Sequence, residues 1–218
     1  MSGVDPAFEG TRLVYDGGGL VEGDVAPDPF VQLRRWLDDA VAAAVAEPTA
    51  LTLSTVDADG QPHSRTVLMR RFDASGLVFF TNLGSAKAQE IGADPRAAVQ
   101  LLWLDLHRQV RVEGLIEAVS DAESDEYFAT RPRESQLGAW SSPQSEVISS
   151  RAELEARVAQ VTSRFDGVDG VPRPPDWGGF RLVPDSFEFW QGRPNRLHDR
   201  MRYRSGADGS WIIERLAP

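Results

Sequence analysis

Apolar positions along the chain change their spacing several times, and each spacing predicts a helix or a strand. Asp28-Pro29 is typical of a helix N-cap followed by proline at the first helical position. Apolar residues then recur at helical spacing, which predicts a helix that runs to about Glu47 and is stopped by Pro48.

Two serines, each followed by a glutamate three residues later, mark the starts of further helices. Ser120 with Glu123 predicts a helix that ends near residue 128, and Ser150 with Glu153 predicts one that ends near residue 165. The pattern over 85–93 predicts a short helix.

Short apolar and β-branched runs, separated by turn-forming residues, predict strands. They span 51–56, 62–72, 77–81, 97–104, 109–119, 179–190, 196–204 and 211–215. The helices do not alternate with strands in βαβ order. The pattern therefore predicts a mainly β (α+β) fold, an antiparallel barrel with appended helices, and not a doubly wound parallel sheet.

Two segments differ in their organisation. Residues 1–27 are rich in glycine and aspartate and lack periodicity, which predicts a mobile N-terminal arm. Residues 28–218 contain no internal repeat and no clear boundary, so they predict a single domain.

Composition excludes several classes of function. The net charge of −10 argues against nonspecific binding to nucleic acid or to an anionic membrane. The absence of cysteine excludes disulfides, thiolate metal sites and a cysteine nucleophile, and three scattered histidines predict no metal site. Without a signal-peptide pattern or a membrane-length apolar run, the expected location is the cytoplasm.

Cationic side chains in this acidic chain indicate anionic ligands. Glycine-rich phosphate loops of the GxGxxG and GxxxxGK[ST] types are absent, so side chains would have to bind phosphate. Four segments offer them: 65–70, 80–87, 127–136 and 190–200. Lys87 is the single lysine among 23 basic residues, which makes it a candidate for a compact charge on a phosphate.

The last of these segments combines guanidiniums with an imidazole. If 196–200 run as a strand, Arg196, His198 and Arg200 project from one face. Two cations beside a histidine suit an anion that also needs hydrogen bonds. A solvated basic edge strand is the alternative for this triplet taken alone.

Several motifs in collinear order carry a more specific signal. They are RPRESQLGAW at 131–140, QS at 144–145, WGGF at 177–180, EFWQG at 188–192, RLHDR at 196–200 and RLAP at 215–218. With these motifs the chain resembles the pyridoxine/pyridoxamine 5′-phosphate oxidase family, from about Arg12 to Pro218.

The resemblance implies a homodimeric split β-barrel that binds FMN at the subunit interface, with 28–218 as the FMN-binding domain. It implies oxidation of pyridoxine or pyridoxamine 5′-phosphate by O2 to pyridoxal 5′-phosphate. Hydrogen peroxide, and ammonia from the amine, would be released. Two phosphorylated ligands would explain the several cationic segments.

The resemblance also assigns residues to the two ligands. For FMN these are Arg65, Thr66, Val67, Leu68, Met69, Arg70, Phe80, Thr81, Lys87, Gln109, Gln144, Ser145, Trp190 and Arg200. For the substrate they are Arg12, Tyr15, Arg70, Tyr127, Arg131, Ser135, Arg196 and His198.

Roles follow from the same resemblance. Lys87 would be the cation on the FMN phosphate. Tyr127, Arg131 and Ser135 would hold the substrate phosphate, and the catalytic pair Arg196 and His198 would lie over the pyridine ring. Arg12 and Tyr15 would fold over the substrate as a lid, which gives the arm a function.

Two positions depart from the family's pattern. The family usually has lysine at Arg70, where arginine keeps the charge but changes its geometry. It often has arginine at Ala86, where alanine removes a phosphate contact.

Two rival functions stay open. Related split-barrel flavin oxidases act on other substrates, including phenazine precursors. A non-catalytic protein that binds flavin or pyridoxal phosphate is the alternative outside the enzymes.

Overall fold

The computed structural model of the chain describes Tyr15 and residues 18–218. Arg12 and most of the predicted arm lie outside the described residues. The chain divides into two compact units. The smaller unit contains the described part of 1–48 with Leu101–Arg111 and Ser186–Pro218, and the larger contains Thr49–Gln100 and Val112–Asp185. That residues 28–218 form one domain stays a prediction.

The described residues form nine strands and five α-helices. The strands are β1 (Ala50–Val56), β2 (Pro62–Leu68), β3 (Arg71–Asp73), β4 (Gly76–Asn82), β5 (Arg96–Trp103), β6 (Arg108–Ala118), β7 (Trp177–Gln191), β8 (Asp199–Ser205) and β9 (Trp211–Leu216). The helices are α1 (Pro29–Ala42), α2 (Ala86–Ala93), α3 (Asp121–Ala129), α4 (Arg133–Ser141) and α5 (Arg151–Arg164). No helix in this part of the chain is long and apolar enough to cross a membrane.

Strands in the larger unit follow the order β2-β1-β5-β6-β7-β4-β3, in which β5, β6 and β7 contribute only their residues in this unit. The β1–β2, β3–β4 and β4–β7 pairs are antiparallel. Serine N-caps start α3 and α5 as predicted, because the Ser120 and Ser150 hydroxyls accept hydrogen bonds from the Glu123 and Glu153 backbone N–H groups.

The smaller unit packs α1 against the C-terminal strands. The second half of β7 pairs antiparallel with β8, and β8 pairs antiparallel with β9. Trp36 on α1 meets Phe189 edge to face at 5.2 Å between ring centroids, and Phe30 meets Phe187 at the same distance. The Asp28 carboxylate accepts the Phe30 backbone N–H, which confirms the predicted N-cap.

Three predicted boundaries are wrong. The first helix ends at Ala42 and not near Glu47, because Ala44 adopts a left-handed backbone with φ of 53°. The predicted strand 62–72 is two strands, since Met69 N–H donates to the Thr49 carbonyl and Arg70 N–H donates to the Val78 carbonyl. The chain thus changes its pairing partner from β1 to β4.

The third error concerns the strand predicted over 196–204. It begins at Asp199, after a 3₁₀ turn at Pro194–Arg196, and Asn195 and Arg196 have left-handed φ values of 58° and 62°. The strand alternation that would align Arg196 with His198 is therefore absent. Helix α4 was not predicted.

Candidate active site

One cavity in the larger unit brings together most of the predicted site residues of that unit. Its volume is about 450 Å³. From the FMN set it is lined by Thr66, Val67, Leu68, Arg70, Phe80, Thr81, Lys87 and Gln144, and from the substrate set by Arg70, Tyr127, Arg131 and Ser135. Segments far apart in the sequence, from β2, β4, α2, α3 and α4, thus meet around one space.

The Lys87 ammonium lies in a cluster of uncharged oxygens. Its Nζ donates to Gln144 Oε1 at 3.0 Å, and to Thr81 Oγ1 and Ser85 Oγ at 3.1 Å each. The Thr81 hydroxyl also donates to Gln144 Oε1 at 2.8 Å. No carboxylate in the described part of the chain forms an ion pair with this ammonium. The cluster is therefore a cationic subsite that an anion can neutralise.

Burial disfavours the charged form of the Lys87 side chain. Lys87 is only 8% exposed. Burial lowers its pKa, nearby Arg65 lowers the pKa further, and Glu90 opposes both. A phosphate bound here would favour the charged ammonium and remove part of the cost of burying it.

Arg131 supplies a second cation to the cavity. Its Nη1 is buried and has no hydrogen-bond partner among the described residues. The guanidinium lies over the Trp177 ring at 4.8 Å and over the Phe128 ring at 5.5 Å. Burial lowers its pKa, Tyr127 acts against that shift, and Arg70 adds to it. An unpartnered, desolvated guanidinium N–H is a strong donor for a bound phosphate or carboxylate.

Aromatic rings form one wall of the cavity. Phe80 stacks on Tyr127 at 4.1 Å and on Trp177 at 5.4 Å between ring centroids. Gly179 makes room for the Phe80 ring, because a Cβ at that position would lie 2.7 Å from two of its carbons. Such a wall suits a planar ring system in the ligand.

Arg65, Met69 and Ser145, also predicted to bind FMN, are not among the residues that line the cavity. Arg65 Nη2 instead pairs with Glu90 Oε2 at 2.6 Å, and Arg65 Nη1 donates to the Thr55 hydroxyl. Burial raises the pKa of Glu90, but the hydrogen bonds from Thr55 and Arg65 outweigh it and leave that pKa lowered. Met69 is buried, and Ser145 follows Gln144 with a left-handed φ of 76°.

The two departures from the family's pattern are both at exposed positions. Arg70 lines the cavity directly after Met69, where the chain turns from β2 to β3. Ala86 is the first residue of α2, next to Lys87. A longer side chain at Ala86 would therefore extend from a solvent-exposed position.

A second group of predicted residues meets within the smaller unit. Tyr15 packs edge to face against His198 at 5.6 Å and against Trp190 at 6.1 Å between ring centroids. Trp190 and His198 are 4.6 Å apart. His107, which sequence reasoning missed, packs against Tyr15 at 4.6 Å. The only signal for His107 was its place directly before Arg108 and Gln109.

The imidazole of His198 has a defined orientation. The Arg193 backbone N–H lies 3.1 Å from Nδ1, so Nδ1 accepts and Nε2 carries the proton of the neutral ring. Burial lowers the His198 pKa, and the neighbouring charge of Arg196 lowers it further. The neutral ring can therefore donate a hydrogen bond through Nε2. Arg196 itself is exposed.

The remaining predicted FMN residues of the smaller unit lie on its strands. Trp190 and Arg200 are opposite one another in the β7–β8 register. Arg200 Nε donates to the buried Glu188 carboxylate at 2.8 Å, and that hydrogen bond raises the Arg200 pKa. Gln109 lies on β6 and is half-buried.

Trp177 is the second residue missed by sequence reasoning. It belongs to a motif that carried the family resemblance, but no role in the site was assigned to it. In the structure its ring lines the cavity and contacts Phe80, Phe128 and Arg131. Its place next to two glycines at the start of a strand was the available signal.

Family models match most of the chain. A model described as pyridoxamine 5′-phosphate oxidase matches residues 37–165. A second, described as pyridoxine 5′-phosphate oxidase C-terminal dimerisation region, matches residues 177–218. The second match includes β7, β8 and β9.

Curated relatives are similar over nearly their whole length. A pyridoxine/pyridoxamine 5′-phosphate oxidase from Ralstonia pickettii (strain 12J) is 54% identical over 207 residues, which cover 95% of this chain and 97% of that protein. The corresponding protein from Methylibium petroleiphilum is 53% identical over 213 residues, covering 98% and 99%.

Solved structures are similar as well. PhzG from Burkholderia lata 383, in complex with tetrahydrophenazine-1-carboxylic acid, is 31% identical with a TM-score of 0.86, covering 93% of this chain and 99% of that one. An FMN-binding protein related to pyridoxamine 5′-phosphate oxidase from Nostoc punctiforme PCC 73102 is 21% identical with a TM-score of 0.70, covering 89% and 100%. Together with the family models, these likenesses confirm the predicted split β-barrel fold class.

Proposed function

Because this chain belongs to the pyridoxine/pyridoxamine 5′-phosphate oxidase family and is an oxidoreductase of that type, we propose that it oxidises pyridoxine 5′-phosphate, pyridoxamine 5′-phosphate or both. The product is pyridoxal 5′-phosphate. With the alcohol, one O2 gives one hydrogen peroxide. With the amine, one water is also consumed and ammonia is released.

The observation that carries this proposal is the buried, unpartnered Nη1 of Arg131. It belongs to a cavity that Tyr127 and Ser135 also line, so a guanidinium and two hydroxyl-bearing side chains surround one space. A phosphate ester would supply the missing acceptor for Nη1 and counter the charge. A ligand without an anionic group would leave the guanidinium buried and unpaired, at a cost in binding free energy.

FMN is the proposed cofactor. Lys87, Thr81 and Gln144 would hold its phosphate, since they form a cationic cluster that no carboxylate neutralises within the described residues. Thr66, Val67, Leu68 and the Phe80 ring would border the remainder of the molecule. The chemistry that FMN supplies when bound is two-electron oxidation of the substrate's 4′ carbon, with O2 as the final acceptor.

The protein contributes binding, orientation and charge. Arg196 would orient the substrate and stabilise negative charge on its 3-oxygen. His198 would donate a hydrogen bond to the substrate from Nε2. The neutral state of His198 supports this role, because Nδ1 is already occupied by the Arg193 N–H. Tyr15 would contact the substrate together with Arg12.

Gln109, Trp190 and Arg200 are assigned to FMN by the resemblance alone, with FMN at the interface of a homodimer. The match of 177–218 to a dimerisation region supports the homodimer. Arg65, Met69 and Ser145 keep their assignment to FMN on the same basis. A cytoplasmic location likewise stays a prediction.

A second candidate is oxidation of a phenazine precursor. Its support is the likeness to PhzG, whose structure holds tetrahydrophenazine-1-carboxylic acid. That ligand is also an anion, so Arg131 alone does not separate the two candidates. The curated relatives at 53–54% identity favour the pyridoxine phosphate derivative.

An anaerobic titration tests the proposal. Purified protein loaded with FMN is mixed with pyridoxine 5′-phosphate without oxygen, while the visible absorbance of the flavin is followed. Bleaching that reverses on admission of air, with pyridoxal 5′-phosphate formed, is the expected result. A yellow protein that bleaches only with tetrahydrophenazine-1-carboxylic acid would establish the second candidate. Binding of flavin without bleaching by either compound would indicate a non-catalytic carrier.

A further inference from the structure

Arg173 connects two segments that shape the cavity but does not itself line it. Its Nη1 donates to the Trp177 backbone carbonyl at 2.5 Å. Its Nε donates to Asp125 Oδ1 at 2.5 Å, and its Nη2 donates to Asp121 Oδ1 at 2.7 Å. The side chain is only 12% exposed. One rigid guanidinium therefore ties α3 to the first residue of β7.

The β7 end of this connection carries Trp177. The Trp177 ring contacts Phe80, at 5.4 Å, and the Arg131 guanidinium, at 4.8 Å. The Trp177 N–H donates to the Pro174 carbonyl at 3.1 Å and Trp177 pairs with Asn82 in the sheet, so the Arg173 bond to its carbonyl is the side-chain contribution to holding this backbone. The Trp177 ring also contacts the rings of Tyr127 and Phe128.

The α3 end of the connection leads to Arg131, which follows the helix by two residues. Asp121 and Asp125 lie one turn apart on the helix, so they present both carboxylates to one guanidinium. Tyr127 and Phe128 belong to the same helix, and the Arg131 N–H donates to the Phe128 carbonyl at 3.2 Å just after its end. Arg173 thus holds both the helix that leads to Arg131 and the ring on which Arg131 rests.

We propose that Arg173 is a positioning residue for recognition of the ligand's phosphate, acting by holding Trp177 and α3 in place against Arg131. The carboxylates of Asp125 and Asp121 both pair with Arg173 and balance its charge locally. It is therefore a brace and not a phosphate ligand. This inference rests on the proposed function, since it assigns the phosphate to Arg131.

Binding of two unreactive ligands tests the role. The dissociation constants of 4-deoxypyridoxine 5′-phosphate and 4-deoxypyridoxine are measured on the full-length, FMN-loaded protein. Their ratio reports the contribution of the phosphate alone. In Arg173→Leu we expect this ratio to fall about tenfold, through weaker binding of the phosphorylated compound, with FMN content unchanged.

Arg133→Leu is the matched control. Arg133 also donates two hydrogen bonds to backbone carbonyls, those of Phe165 at 2.6 Å and Val168 at 3.0 Å, and it does not line the cavity. It braces a different loop, so its loss should leave the ratio unchanged. Arg173→Lys, which retains a donor, should recover part of the ratio.

The outcomes separate this inference from the function on which it rests. If the unmodified protein prefers the phosphorylated compound and Arg173→Leu keeps that preference, the positioning role is wrong and the proposed function stands. If the unmodified protein shows no preference, the assignment of the phosphate to Arg131 is wrong, and so is the positioning role of Arg173. Should Arg173→Leu not fold, Asp125→Asn gives the same comparison, with an expected fall of about threefold in the ratio.

Discussion

Lys87 Nζ donates to Gln144 Oε1 at 3.0 Å across 57 positions of sequence, and the same oxygen accepts the Thr81 hydroxyl. The loop after α4 is thereby held against the start of α2. Three neutral oxygens orient the ammonium without neutralising it. The position of the positive charge is fixed before a ligand arrives, and an anion that binds there replaces one of the three neutral acceptors of the ammonium.

Substitution of Lys87 by methionine, which keeps the length of the side chain, should weaken FMN binding selectively. The lost charge-assisted hydrogen bond corresponds to about 1.5–3 kcal/mol, or roughly ten- to hundredfold in dissociation constant. Riboflavin, which lacks the phosphate, should bind both proteins equally. Flavin fluorescence quenching during titration of the flavin-free protein measures both constants.

Gln89 provides a control on the same helix. Its side chain is exposed and donates to the Gly84 carbonyl at 3.0 Å. Gln89→Leu should leave both flavin affinities unchanged. Equal losses of FMN and riboflavin binding in Lys87→Met would instead indicate that Lys87 holds the loop and not the phosphate.

Strand positions and the serine N-caps could be predicted because their signals are local. Alternation of side chains, turn residues and the Ser-x-x-Glu spacing all act within a few positions. The break at Met69 could not be predicted, since it occurs where the chain exchanges one pairing partner for another. Similarly, no local signal marks the left-handed backbone of Arg196, which is not a glycine.

Residue types in the site could be predicted more readily than their contacts. The single lysine and the arginine-rich segments indicated phosphate binding, and the structure gathers Lys87 and Arg131 around one cavity. Arg65 was grouped with them by sequence, but it pairs with Glu90. That contact joins β2 to α2, and neither segment carries a pattern that identifies the other as its partner.

Arg131 should show opposite effects on function and stability. Replacing it by methionine removes a buried, unpartnered guanidinium N–H and leaves an apolar chain against the Trp177 and Phe128 rings. We expect the flavin-free protein to gain about 1 kcal/mol in free energy of unfolding. We also expect kcat/KM for pyridoxine 5′-phosphate to fall at least about a hundredfold. Urea unfolding and steady-state assays measure the two quantities.

Arg164→Met is a matched comparison for the stability arm. The Arg164 guanidinium also lies over two rings, those of Trp140 and Phe165, at 4.8 and 5.0 Å. It does not line the cavity, so its loss should remove a favourable cation–π contact and leave kcat/KM unchanged. A loss of stability in Arg131→Met as large as that in Arg164→Met would contradict the expectation that burying the Arg131 guanidinium lowers the free energy of unfolding.

The lowered pKa of His198 predicts a pH dependence of stability. Burial and the Arg196 charge keep its folded-state pKa below the ordinary value of 6.5, so the unfolded chain binds a proton more readily. The contribution of His198 is therefore fully present above pH 6.5 and is lost as the pH falls through the folded-state pKa. His198→Asn should therefore reduce the slope of unfolding free energy against pH in the range from pH 6.5 down to the folded-state pKa.

His63 allows the slope to be assigned. It pairs with Asp57 through Nε2 at 3.1 Å, and this hydrogen bond lowers the Asp57 pKa. His63→Asn therefore serves as the matched His→Asn substitution, at a histidine of the larger unit. An unchanged slope in the His198 variant would show that its imidazole titrates alike in the folded and unfolded chain. Urea melts at closely spaced pH values measure all three proteins.

Gly192 sets the space in which Tyr15 packs. A Cβ at this position would lie 2.8 Å from Tyr15 Cδ1 and 2.9 Å from His107 Cβ, closer than such contacts allow. Gly192→Ala should therefore displace Tyr15 from His107 and His198, since the Gly192 backbone N–H is held by the His107 carbonyl at 2.7 Å. If Tyr15 contacts the substrate, KM should rise several-fold, and overpacking should cost about 1–3 kcal/mol of stability.

Gly18→Ala serves as the control, because a Cβ there meets no atom within 4 Å. A Tyr15→Ala variant decides whether the two effects share a cause: adding Gly192→Ala to it should raise KM no further. A further rise in the double variant would place the effect of Gly192 on His107 or His198 and not on Tyr15.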